Sequence, residues 1–409
     1  MLKFIGIILA IFLVNFWELG TLKCFGVFFQ PLQEGLQTSS TALGIWIATC
    51  RAFTNVISPL SDYATCTFGE RHVLVFGGIL CACSLSFAAL VNTITWFGVL
   101  IIFTGCSFNM VFIASLATTK NYFPSNTNHI WGLTSAGGAL GMMVLPPICE
   151  FLIQIYGWRG ALMLLSALNS HLVVCGLLVN QRRDIAAQPY SAIPVTDESA
   201  AQQSRCPNIR NVSANISRYI SFYLIKNPKF IPIIAAHMLT GVVFTGWTIF
   251  LVPHAIGKGL PPQTASFLSF CGGLGALFGR PLMGPIIKNC NITAIQLMVI
   301  LASANAIAFG FDVLVNSFWA LALIAFVNGF ATGILPILTF AAATEVLGED
   351  RVVEGFSFAW MFFALGDFVA GFISGYLLDQ GSAFLFIVLG GFSFLTVLVT
   401  MISYYIPQD

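Results

Sequence analysis

Long apolar runs separated by short polar breaks dominate this sequence. Twelve of them approach or exceed the roughly twenty residues that a helix needs to cross a bilayer core. They lie near 2–30, 41–62, 72–91, 96–120, 130–156, 159–180, 230–257, 264–287, 292–315, 318–346, 353–377 and 383–406. Between the sixth and seventh stands the only long polar stretch, 181–229, with the composition AAQPYSAIPVTDESAAQQ. Such a segment reads as a flexible linker without a core of its own. The pattern predicts an all-α membrane protein: an N-terminal six-helix bundle over 1–180, a cytoplasmic linker over 181–229 and a C-terminal six-helix bundle over 230–409.

Composition narrows the class. Of the 409 residues 57% are hydrophobic and 8% charged, where a soluble domain carries about a quarter charged. The first apolar run is too long for a secretory signal and has no convincing small-residue cleavage site, so it reads as a retained helix. The eleven cysteines form no CxxC pair and no metal-ligand spacing; they read as small packing residues. A net charge of +1 carries no message about nucleic acid.

The placement of the charges is more informative. With both termini on the cytoplasmic side, inner segments hold Lys3, Arg71, Lys120, seven linker cations, Lys288 and Arg351, and outer loops hold only Arg159 and Lys258. That is a clear positive-inside bias. The linker cations are Arg182, Arg183, Arg205, Arg210, Arg218, Lys226 and Lys229. The sequons at Asn211 and Asn215 fall in the same segment and are therefore expected to stay unmodified.

The two halves form a weak tandem repeat. The fifth span carries ALGMMVLPPI from Ala139 and the eleventh ALGDFVAGFI from Ala364, each followed at a similar distance by a glycine, Gly157 and Gly381. Six plus six helices, parallel repeats and a basic central linker make up the plan of major facilitator transporters. Glycine patches such as SAGGALG and CGGLGALFG suit helices that approach closely or slide, although simple packing explains any one glycine equally well.

Several motifs resemble the monocarboxylate transporters, solute carrier family 16, over nearly the whole chain apart from the linker. Lys23-Cys-Phe-Gly-Val-Phe-Phe resembles their first-helix segment, and FGERHVLVFGGIL from Phe68 the start of their third helix. NYF with GLTSAGGALG and IYGWRGALMLL is similar to their fourth-to-sixth helix signature. FLVPHAIGKGLPPQTASFLSFCGGLGALFGRPLMG resembles the seventh-to-eighth helix region, and TFAAATEVLGEDR from Thr339 the end of the tenth helix. The departures are equally specific. The family's opening acidic-Gly-Gly-Trp-Gly-Trp motif is missing, and Pro124-Ser125-Asn126-Thr127 replaces the basic run after NYF. The family's twin proline is replaced at Gly371-Phe372. Proton-coupled members carry an Asp four residues before the eighth-helix Arg, and that position here is Ala276.

A charge at mid-membrane costs about 2.5–3.5 kcal/mol on insertion scales and usually faces a cavity or a partner. Lys23, Arg51 and Arg280 are the cations inside spans. The resemblance implies that Lys23 engages a substrate carboxylate and takes part in proton transfer; a lysine snorkelling to the surface is the plainer reading. It also implies substrate contact by Arg280, whose planar fork fits a carboxylate bidentately; an internal ion pair is the alternative. Arg51 replaces an apolar pocket position, where it would bind a further anionic group, replace charge lost elsewhere, or pair with Glu18 or Asp367.

The acids inside spans are Glu18, Asp62, Glu150, Asp312 and Asp367. Asp367, next to glycines in ALGDFVAG, reads either as a relocated proton site or as a structural partner of Arg51 or Arg280. Asp62 and Arg71, at the inner ends of the second and third helices, suit a gate or loop contact. Glu150 and Asp312 read as packing or boundary groups. By position in the resemblance, Phe340, Trp131 and Thr344 would line the substrate pocket, with Trp131 standing where the family has an Asn.

No catalytic or nucleotide-binding motif occurs in a suitable context, and no cofactor or metal is implied. The expected function is secondary transport of a small organic monocarboxylate by alternating access, with proton coupling open, in the plasma membrane. The alternatives are an uncoupled facilitator of another carboxylate or amino-acid-like solute, or a non-transporting, sensor-like protein. The resemblance adds a single-span immunoglobulin-like chaperone as a partner, on which these residues are silent.

Overall fold

The computed structural model describes residues 2–123, 127–179, 227–348, 352–380 and 382–406. Among these residues the regular structure is helical throughout, in thirteen segments. The first half contains α1 (Leu2–Gly35), α2 (Ser40–Val56), α3 (Ser58–Phe68), α4 (Glu70–Leu90), α5 (Ile94–Tyr122), α6 (Thr127–Asn169) and α7 (His171–Leu178). The second contains α8 (Phe230–Gly257), α9 (Pro262–Cys290), α10 (Ala294–Asp312), α11 (Phe318–Leu347), α12 (Val352–Gln380) and α13 (Ser382–Tyr405).

These segments make twelve legs. Ten stretches are by themselves long and apolar enough to cross a membrane. One of them, Gly132–Leu178, contains two legs, because α6 turns at Gly157, where φ is +67°. That backbone region penalises a Cβ and suits glycine. Another leg is split into α2 and α3, each too short alone. The break falls at Ile57, and Pro59 then occupies the first turn of α3, where its missing N–H leaves no bond unmade. A single unbroken second helix over 41–62 is thus corrected to a broken one that runs on to Phe68. The linker expected at 181–229 lies almost entirely outside the described residues, as do Asn211 and Asn215.

The tandem repeat has a physical counterpart. Gly141 of α6 lies against the Phe16 carbonyl of α1, and the matching Gly366 of α12 against the Met238 carbonyl of α8. The fifth leg therefore packs on the first as the eleventh packs on the seventh. In both places absence of a side chain lets two backbones touch.

The halves meet along three seams: α1 with α8, α2 with α12, and α6 with α9. Glycines bring backbones close in all three: a Cβ on Gly44 would stand 2.8 Å from the Gly371 carbonyl oxygen, one on Gly26 2.6 Å from that of Ile249, and one on Gly273 2.6 Å from the Met143 backbone. At the face away from the chain termini, Asp379 at the end of α12 reaches the start of α2. It accepts from the Ser40 and Thr41 backbone N–H groups at 3.0 Å each and from the Thr41 hydroxyl at 2.6 Å. Gln263 and Gln154 bridge α9 and α6 toward the same face. Large apolar residues such as Ile307, Leu323, Phe384 and Phe394 are exposed around the outside, as a lipid-facing belt requires.

Candidate functional site

The groups of chemical interest gather where the three seams meet. Lys23, the lone cation of α1 beyond its first turn, is completely buried. Its ammonium lies 3.8 Å from the centroid of the Trp247 ring and 3.4 Å from the Trp247 carbonyl oxygen. Trp247 belongs to α8, so the contact joins the two halves. A desolvated cation over an indole face gains about 2 kcal/mol, which offsets part of the cost of burying an ammonium without a carboxylate partner.

Arg51, Glu18, Arg280 and Asp367 form a separate electrostatic group. Glu18 of α1 interacts with Arg51 of α2 and Arg280 of α9, and Asp367 of α12 interacts with Arg51. Direct bonding among them is sparse. Arg51 donates from Nη1 to Thr54 at 3.0 Å and stands 5.2 Å from the Phe244 ring centroid. Arg280 donates from Nη1 to the Ser135 carbonyl at 2.7 Å, a bond from α9 to α6. Asp367 accepts from Asn55 at 3.0 Å and from Thr245 at 2.5 Å, which ties α12 to α2 and α8. The Arg51 Nε, the Arg280 Nε and the Glu18 Oε2 are buried with no hydrogen-bond partner among the described residues. An orphaned buried polar group costs about 1–3 kcal/mol, so this arrangement is under-satisfied at the centre of the molecule.

A cavity of about 10 Å³ lies beside the group, lined by Leu22, Ile47, Arg51, Thr245, Thr248 and Ile249. It holds roughly one water. Ala276, noted as a departure from the resemblance, is buried with Ala139 and Met142 in the α6–α9 seam. Its backbone also lies 2.8 Å from a Cβ built on Gly333. A carboxylate at 276 would have to displace apolar packing.

Other expectations fare differently. The direct pairing of Asp367 with Arg51 or Arg280 is corrected: Asp367 is held by the neutral groups of Asn55 and Thr245, and Arg51 acts on it only through space. Lys23 and Arg280 each hold a different partner across a different seam. Phe340 is 42% exposed and Thr344 returns its hydroxyl to the Phe340 carbonyl. Both lie toward the termini-side end of α11. The Trp131 side chain lies outside the described residues. Asp62 acts electrostatically on Lys120 of α5. Arg71 follows Glu70, which bonds Asn121, so both lie where the α3–α4 turn meets the end of α5. Glu150 accepts from Gln154 at 3.0 Å, a contact within its own helix.

Four participants escaped the sequence reading. Trp247 is one of eight tryptophans and Thr248 its neighbour, on a helix buried on nearly every side; amphipathic patterning cannot single out a face there. Lys258 and His254, near the end of α8, join Asp312 at 2.7 and 2.6 Å. Nothing in local spacing links them to a residue more than fifty positions later. Among the described residues no group of His, Cys, Asp and Glu is arranged to hold a metal ion.

Comparison with known proteins agrees with this geometry. The chain is 25% identical to Monocarboxylate transporter 13 of Rattus norvegicus over 392 residues, covering 94% of this chain and 85% of that one. It is 24% identical to Monocarboxylate transporter 2 of Rattus norvegicus over 338 residues, covering 80% and 68%. In fold it is similar to the nucleoside transporter NupG, with a TM-score of 0.74 at 15% identity, covering 98% of this chain and all of that one. A POT family transporter in complex with 5-aminolevulinic acid gives a TM-score of 0.75 at 13% identity, covering 97% and 94%. The family model for the Major Facilitator Superfamily matches residues 8–310. The chain is an integral membrane protein that belongs to the Major Facilitator Superfamily of transporters.

Proposed function

We propose that this protein carries a small organic monocarboxylate across the plasma membrane by alternating access of two six-helix bundles, 1–180 and 230–409, with the 181–229 linker and both termini cytoplasmic. The observation that carries the reading is the charge at the meeting of the seams. Arg51 and Arg280 act on Glu18 and Asp367 without an ion pair within 4 Å among the four, and Lys23 adds a third buried cation at the α1–α8 seam. With all five ionised, one positive charge is left over, and one carboxylate neutralises it. Desolvating an anion is costly unless charges and donors compensate it, and here they stand ready on both halves. The relatives named monocarboxylate transporters support the same substrate class.

Alternating access follows from where the contacts fall. Lys23 on Trp247, Arg280 on Ser135 and Asp367 on Asn55 each cross between halves. A ligand that competes for these cations alters the contacts that keep the halves together. The Asp379 latch on α2 supports a conformation closed at the face away from the termini, which the positive-inside bias makes the outer face.

Proton coupling has one favoured carrier. Ala276 sits in apolar packing, so the acid of the proton-coupled relatives has no equivalent there. Asp367 lies instead beside Arg51 on a seam, and Lys23 is the cation whose release from Trp247 would accompany the step. Reconstituted vesicles decide the matter: labelled monocarboxylates are taken up with and without a pH gradient. Saturable, Arg280-dependent uptake that an inward proton gradient accelerates is the expected result. Saturable uptake indifferent to pH would make the protein a facilitator. No saturable flux of any monocarboxylate would leave the non-transporting reading.

A further inference from the structure

Three polar or aromatic positions within one turn of α8 face the meeting of the seams, and two of them are occupied. Thr245 donates to Asp367, and Trp247 carries the Lys23 ammonium on its ring. Thr248 is 4% exposed, yet its hydroxyl has no hydrogen-bond partner among the described residues. A buried threonine in a helix can turn its hydroxyl onto the carbonyl four residues back, and Thr240 of the same helix does so at 2.8 Å. Thr248 does not. Thr248 lines the small cavity, and Arg51 lines it from the other half. Arg51 is 7% exposed and its Nε–H is also unpartnered.

Two buried donors without acceptors, one from each half and both lining one cavity, describe a seat for an acceptor with two oxygens. We infer that Thr248 and Arg51 together bind the carboxylate group of the transported anion, Thr248 through its hydroxyl and Arg51 through Nε–H. This rests on the proposed function and adds to it a contact from α8. Arg51 Nε donates and cannot accept, so the missing partner carries acceptor oxygens. Thr248 adds no charge and therefore leaves the excess of one positive charge for the same group. The present space fits about one water and a carboxylate is larger, so the loaded seat forms with α2 and α8 slightly further apart. Binding at this place thus bears directly on how the two halves separate. Lys23, held aside by Trp247, is the neighbouring cation that can join once the seat is filled.

The test uses the full chain in proteoliposomes with radiolabelled lactate, pyruvate and 3-phenylpropionate. Thr248→Val keeps size and removes the hydroxyl. It is expected to raise KM about ten-fold or more, because hydrogen bonds to charged groups are among the stronger ones, with Vmax changed much less. Thr248→Ser is expected to restore KM. The purified wild type is expected to be thermally stabilised by the transported carboxylate, and Thr248→Val to need a correspondingly higher concentration. Wild-type flux that is saturable and Arg280-dependent, together with an unchanged KM in Thr248→Val, overturns the seat and leaves the proposed function standing. No saturable wild-type flux with any of the three probes overturns both. Should Thr248→Val fail to fold, Thr248→Ala decides by thermal shift: stabilisation at wild-type ligand concentration overturns the seat, and loss of it supports it.

Discussion

Asp312 and Asp367 are both buried carboxylates of the second half, and they are treated in opposite ways. Asp312, at the end of α10, has the His254 Nε2 at 2.6 Å and the Lys258 Nζ at 2.7 Å. Lys258 also donates to the Val315 carbonyl at 2.9 Å, and the His254 ring stacks on Phe386 at 3.8 Å. Every strong group there is engaged by a neighbour, within one bundle. Among the described residues Asp367 has Asn55 and Thr245 for direct partners, and the guanidinium that acts on it keeps an Nε–H with no partner there. The first arrangement pins α8, α10 and α13 together; the second straddles the halves and leaves donors unused. Saturated charge clusters stabilise one state, whereas under-satisfied ones at a seam have something to gain from a ligand or a proton.

The largest effect should separate the two acids by stability. Breaking a buried charge cluster by removing one member costs about 3–5 kcal/mol, so Asp312→Ala is expected to lower surface expression and the thermal unfolding temperature sharply. Asp367→Asn loses no direct ion pair and should unfold near the wild-type temperature. Thermal unfolding of both purified variants checks this, and the reverse order would break the comparison at its root.

Next in size are the cations. Lys23→Gln should reach the surface and abolish uptake, since the ammonium is held by a ring and a carbonyl and anchors no acid among the described residues. Normal uptake in that variant would sink its role. Arg280→Lys keeps the charge and loses the planar fork, so substrate affinity should fall about ten-fold or more. Unchanged affinity would mean that recognition there is not bidentate.

Asp367→Asn then tests coupling alone. If this carboxylate takes a proton from the acidic side and releases it on the other, uptake driven by a pH gradient should disappear while exchange of substrate across vesicles continues. The neutral amide imitates the protonated form, so the sign is definite: wild-type influx rises as the outside is acidified, and the variant is flat. A variant as pH-sensitive as the wild type would remove Asp367 from the proton path.

Much of this was legible beforehand for one physical reason: charge in hydrocarbon is expensive, so isolated charges inside apolar runs mark places where something else happens. That rule found Lys23, Arg51, Arg280 and Asp367. It found them singly, because apolar runs carry no information about which faces meet. Pairing of Arg51 with Glu18 was one of several alternatives it left open, and the contact of Lys23 with Trp247 was not among them, because it depends on helix rotations that only packing decides. The twelve legs were equally legible, since length and hydropathy report on the bilayer. The break at Ile57 had a signal in Ser58-Pro59, but a proline is also tolerated inside membrane helices, so the residues alone did not place it. Gly371 shows the opposite case. In the sequence it is only a departure from a family motif, yet it sits where α12 touches α2 at Gly44, a contact that a proline or any larger side chain would push apart.

That seam carries the smallest of the expected effects. The Asp379 carboxylate takes two backbone N–H groups and one hydroxyl at the start of α2, beside the Ser39 cap, which accepts from Ala42 at 3.1 Å. A carboxylate at a helix N-terminus gains about 0.3–1 kcal/mol from the helix dipole. Asp379→Asn retains an acceptor and loses the charge, so folding should be nearly unaffected while the closed face opens more often. A cysteine introduced at Gln263 of that variant should react about two- to five-fold faster with a membrane-impermeant thiol reagent than the same cysteine in the wild type. The rise should be absent at Cys290, at the other end of α9, because the latch acts on one face only. Equal labelling at Gln263→Cys in both backgrounds would reduce Asp379 to an ordinary helix cap. A rise at both ends would mean that the substitution loosened the bundles themselves, and the contrast between a saturated interior and a responsive seam would then fail at the seam.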